Sequence, residues 1–147
     1  MRAFSLHNST ILLFACTGHA LLLWLALSQF RSAPVWHAVI WPPHAWVFGL
    51  LLLAPLTQWR WLAPGLVLTE VLTHNLVVGT PWGGGLAFSL INLVQAGVPA
   101  LVLKRRASRP FQHLRDLLLF LLLVLVAVSP WTSLAGCYTN TFFFGTA

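Results

Sequence analysis

Glu70 and His74 lie four residues apart in the apolar stretch 61–78, and Glu70 is the one acid inside any long hydrophobic segment of the chain. On a helix this spacing places the carboxyl and the imidazole on one face, a single turn apart. A carboxylate beside an imidazole can hold a proton, bind a polar ligand or receive a partner helix. Thr73 and Asn75 flank the pair, and Asn92 and Gln95 stand three apart in a later apolar stretch. Glu70, Thr73, His74, Asn75, Asn92 and Gln95 thus form a candidate polar seam. A plainer reading competes, in which these groups only bond two helices together.

Other chemistry is thinly supplied. Two acids leave little for acid–base catalysis, and no Ser/His/Asp set is evident. The glycine-rich run Gly79-Thr-Pro-Trp-Gly-Gly-Gly85 matches neither phosphate-binding fingerprint, and no Lys-Ser/Thr follows it, so it reads as a turn. An enzyme is not expected. Six histidines raise the question of haem, which needs two axial ligands at matching depth between helices. His19 and His74 are the two deep candidates, whereas His7, His37, His44 and His113 fall near ends or loops. No metal-binding spacing of histidines is present, so no cofactor is expected and haem stands as the alternative. Cys16 and Cys137 lie near opposite ends without a CxxC pattern and read as free thiols.

The elements that carry these residues follow from composition. Of 147 residues 59% are hydrophobic and only 7% charged, where soluble domains run at about 25% charged. Leucine runs at 50–53 and 117–123 have no place on a water-exposed surface. The chain reads as one all-α domain, a polytopic transmembrane bundle of about five helices. Hydropathy and breakers place these at about 11–30, 42–56, 61–78, 86–103 and 114–134. The first apolar run is longer than a signal-peptide core and follows a single arginine, so an uncleaved helix is expected. Trp41-Pro42-Pro43 reads as an anchored helix entry, since proline is tolerated in a first turn and tryptophan favours the headgroups. Pro55 limits the second helix, Ser129-Pro130 interrupts the fifth, and the Thr- and Phe-rich tail 137–147 is too short to span.

Orientation follows from the bases. The net charge of +6 comes from 8 Lys and Arg against 2 acids, which fits positive cytoplasmic loops and anionic headgroups better than nucleic acid. Lys104, Arg105, Arg106 and Arg109 put the loop between the fourth and fifth helices in the cytoplasm. Alternation then puts Arg2 and Arg60 inside as well, which gives an N-in, C-out topology.

The order of these signals is similar to the first half of the MASE1 family, integral-membrane sensory domains of bacterial histidine kinases and cyclic-dinucleotide enzymes. The resemblance covers 35–134 and rests on Trp41-Pro42-Pro43, Trp59-Arg60-Trp61, Pro64-Gly65, Asn75-Leu76 with Gly79, Asn92 with Gln95, and Leu114-Arg115-Asp116. Ala45 stands where the family usually has glycine, and Gln95 where it often has an acid. The resemblance implies a multi-pass sensory module of the bacterial inner membrane. Family members continue to about eight helices and an output domain, so this chain is expected to be either a truncated or divergent relative or a separate subunit beside a membrane-protein partner. Two further expectations are a small accessory subunit of a larger membrane complex and a haem- or metal-binding subunit.

Overall fold

In a bilayer a chain must satisfy its backbone polar groups internally, and an apolar sequence without strand alternation does so as helix. The computed structural model describes residues 6–30, 42–106 and 113–145. Of these, 94% are helical and none is in a strand. The helices are α1 (Leu6–Phe30), α2 (Pro42–Leu53), α3 (Leu56–Val78), α4 (Trp82–Arg106), α5 (Leu114–Leu122) and α6 (Ser129–Phe144). A π-helical segment, Leu123–Val128, joins the last two into one uninterrupted rod. Among the described residues there are thus five helical rods, as expected, but four of them have the length and apolarity to cross a membrane. Helix α2 has 12 residues, or about 18 Å, against a hydrocarbon core of about 30 Å.

The boundaries differ from the expected ones for local reasons. Pro55 closes α2 early because it has no N–H for the carbonyl of Leu51, four residues back. The Trp59 indole supplies that donor instead, with Nε1 3.0 Å from Leu51 O. The next carbonyl, Leu52 O, accepts from Lys104 Nζ of α4 at 2.5 Å. Two of the orphan acceptors at the end of α2 are therefore met by side chains. Trp59-Arg60-Trp61 is not a boundary but lies in the early turns of α3. That helix ends at Gly79, whose φ of 74° is left-handed, with its N–H on Asn75 O at 3.0 Å.

Gly83 to Gly85 belong to the first turns of α4 rather than to a loop, and Gly84 and Gly85 are buried. Lys104, Arg105 and Arg106 likewise form the last turn of α4 instead of a loop. The largest correction concerns the tail, which is helical to Phe144. Pro130 falls in the first turn of α6, where its missing N–H costs little. The π segment just before it shifts the hydrogen-bond ladder, so Ser129-Pro130 is passed without a break. Thr132 Oγ1 supplements that ladder, 3.1 Å from Val128 O.

Helices α1 to α4 form a closed ring: α1 packs on α3, α3 on α4, α4 on α2 and α2 on α1. Its core joins Ala15 of α1, Val47 and Leu51 of α2, Leu62 and Leu66 of α3, and Ala96 and Ala100 of α4. Small residues let helices approach where lipid gives no hydrophobic drive to associate. Gly18 shows this: a Cβ there would run into the ring of Trp46, whose Nε1 donates to Ala15 O at 3.1 Å. The α5–α6 rod stands outside the ring and packs on α4.

Candidate functional site

The ring turns one carboxylate inward. Glu70, in the middle of α3, is 3% exposed, and His19, near the middle of α1, is 1% exposed. His19 Nε2 lies 3.4 Å from Glu70 Oε2. His74, one turn along α3, brings its Nε2 to 3.9 Å from Glu70 Oε1. Asn92 of α4 donates from Nδ2 to the same Oε1. One carboxylate thus gathers side chains from α1, α3 and α4. Burial without such partners would cost several kcal/mol, roughly, so the partners are a condition of the placement.

A further histidine joins from α2. His44 engages the Asn92 side chain and interacts electrostatically with Glu70 and His19. It was expected at a helix entry near the membrane surface. Instead Pro43, beside it in the first turn described for α2, is buried in the bundle. The signal that could have found it is the length of the apolar run 42–54, too short to span between Pro43 and Pro55. The ring of His74 lies parallel to Phe88 of α4, with centroids 6.3 Å apart. A shallow crevice beside Glu70 is lined by Val47, Leu66, Val67, Ser89 and Leu93.

Of the six residues expected in one seam, Glu70, His74 and Asn92 meet. Thr73 turns back on its own helix, with Oγ1 2.8 Å from Thr69 O. Asn75 closes the turn after α3, donating from Nδ2 to Thr80 O at 3.0 Å. Gln95 is half-buried on α4 and makes no recorded contact with Glu70. Of the expected helix entry, Pro42 and Pro43 open α2, while Trp41 lies outside the described residues, as does Arg109 of the basic group.

The two haem candidates are brought together but do not suit an axial pair. Both Nε2 atoms are directed at the same carboxylate. The crevice has room for about a single water molecule and none for an organic group. Among the described residues no three His, Cys, Asp or Glu side chains are grouped to hold a metal ion. Cys16 and Cys137 are free thiols. What the arrangement can do is hold and exchange protons, and tie three helices to one charge. No family model matches the chain, and neither a curated protein nor a solved structure matches it.

Proposed function

We propose that this chain is a non-enzymatic sensory or regulatory module of the bacterial inner membrane, with the Glu70 cluster as its responsive element. The observation that carries the reading is that a single buried carboxylate binds groups on α1, α3 and α4. A ligand, a proton or a partner helix that changes the state of Glu70 alters three helix contacts at once. The resemblance to the first half of the MASE1 family supports the same role. In this reading the N-terminus and the Lys104–Arg106 end face the cytoplasm, and the output passes to a membrane-protein partner.

The α5–α6 rod favours a second reading, an accessory subunit of a larger membrane complex, because only a small part of its surface is covered within this chain. Affinity purification in mild detergent with mass spectrometry separates the two. A kinase or cyclase partner whose output changes with Glu70→Gln supports the sensory module. A large stoichiometric complex indifferent to that substitution overturns it in favour of the accessory subunit.

A further inference from the structure

Positive charge is gathered at one end of the bundle. Arg60 lies in the second turn of α3, Lys104, Arg105 and Arg106 form the last turn of α4, and Arg115 lies in the first turn of α5. Helices α3 and α4 are packed neighbours joined by the tight turn at Gly79, so the start of one and the end of the other share a level. At the opposite end Gly83 of α4 meets Phe143 of α6. Among the described residues no lysine, arginine or acid lies there.

The last turn of α2 draws three of these cations together. Trp59 of α3 and Lys104 of α4 donate to consecutive carbonyls, Leu51 O at 3.0 Å and Leu52 O at 2.5 Å. Two helices thus reach one turn of α2 with adjacent bonds. Arg60 and Arg105, the next residues along their chains, are exposed, and so is Arg106. The Lys104 ammonium has three donors and spends one on Leu52 O.

Depth and charge narrow what these groups would hold. Lys104 lies about 33 Å along α4 from Trp82, close to a hydrocarbon thickness of about 30 Å. Tryptophan favours the headgroup level, so with Trp82 at one interface the arginines stand at the other. The chain has two acidic side chains, and neither reaches them. Glu70 is about 15 Å further along α3 than Arg60. Asp116 is buried, with Arg115 Nε 3.8 Å from its Oδ1. The charge of Arg60, Arg105 and Arg106 therefore has no acidic side chain to match it within the chain.

The surface beside them is apolar, with Leu53 84% and Leu56 46% exposed. Side chains on a helix lean toward its N-terminus, which for Leu53 is away from this end and into the bilayer. Guanidinium groups take phosphate through paired N–H donors, and an ammonium holds it as a point charge. A soluble anion would match the charge and leave the leucines uncovered, whereas a phospholipid matches both. We propose that Arg60, Lys104 and Arg105, gathered at the end of α2, bind the phosphate of an anionic phospholipid whose acyl chains lie against Leu53 and Leu56. The site is separate from the Glu70 cluster and makes no use of it.

The test titrates the full chain in mild detergent with dioleoylphosphatidylglycerol or dioleoylphosphatidylcholine, and native mass spectrometry counts the bound lipid. The anionic lipid is expected to bind one per chain, at least about tenfold more tightly than the zwitterionic one. Arg60→Gln and Arg105→Gln should each weaken it about fivefold. Arg115→Gln removes a charge that Asp116 already matches and should change it less than about twofold. Equal retention of the two lipids, or equal losses in all three variants, overturns the site. A photoreactive phosphatidylglycerol with its diazirine on an acyl chain gives a second reading on the unaltered protein. Adducts are expected on the segment that holds Leu53 and Leu56, and adducts spread evenly along the α5–α6 rod overturn the placement. Displacement by an equal concentration of glycerol 3-phosphate, a headgroup without chains, would make this a soluble-anion site and reject the lipid.

Discussion

The rod of α5 and α6 is more apolar in sequence than any spanning helix of the α1 to α4 ring, and the two regions are held in different ways. In the ring, 28%, 22% and 28% of the spanning windows of α1, α3 and α4 are buried, whereas for the rod the share is 11%. Ring contacts combine close approach at small residues with polar groups turned inward. The rod instead shows large side chains outward, Leu118, Leu125, Trp131 and Phe142 among them. Between helices in lipid, apolar area alone gives no reason to associate. Helix association in this protein is therefore specified where small residues and polar contacts between helices occur, as at Gly18, Trp46, Glu70 and Lys104 of the ring, whereas the buried Thr132 and Thr139 of the rod bond only to their own backbone.

That contrast can be broken at its strongest point by Glu70→Ala. The change leaves Asn92 and two imidazoles facing an empty centre, and should cost about 3 kcal/mol or more. Thermal unfolding in detergent reads this as a clear loss of stability; a melting point equal to the unaltered protein's would remove the ring's distinction. Next in size is Gly18→Leu, which drives a side chain into Trp46 and should cost about 1–3 kcal/mol. A shifted tryptophan emission spectrum would accompany it as Trp46 leaves Ala15 O. Trp59→Phe removes the donor on Leu51 O that Pro55 cannot supply, for about 1 kcal/mol. The smallest effect is expected in the rod. Gly136→Leu meets nothing within 4 Å of the new Cβ and should stay within about 0.5 kcal/mol in the same unfolding assay. A loss there as large as at Gly18 would mean that the rod's outer face is covered after all.

Much of this organisation was legible in the sequence, and the exceptions have physical causes. Hydropathy gave the membrane class and the four long helices, because lipid leaves an apolar chain few other structures. The Glu70–His74 pair was legible from spacing alone, since both residues sit on one helix. His19 and His44 were not, because their meeting with Glu70 depends on how three helices are arranged around α3. Trp41-Pro42-Pro43 suggested a surface entry, yet Pro42 and Pro43 equally suit a helix start where donors are unwelcome. Thr73 and Asn75 shared the composition of a seam but are satisfied by nearby backbone, a local competition that periodicity cannot resolve. At Ser129-Pro130 the expected break failed because a π turn absorbs the proline, and such a turn has no sequence signature of its own.

The rod's length has a mechanical consequence. Its apolar span, Leu114–Phe143, has 30 residues, about 45 Å of helix, which exceeds the hydrocarbon core by about 15 Å. A surplus of that size is taken up by tilting, bending or emerging from the bilayer, and the balance among these depends on bilayer thickness. The π segment beside Pro130 is the natural place to bend. The rod leans on α4, the same helix that presents Asn92 to Glu70. A thinner or thicker membrane changes the angle of that lever, and α4 is where the load arrives.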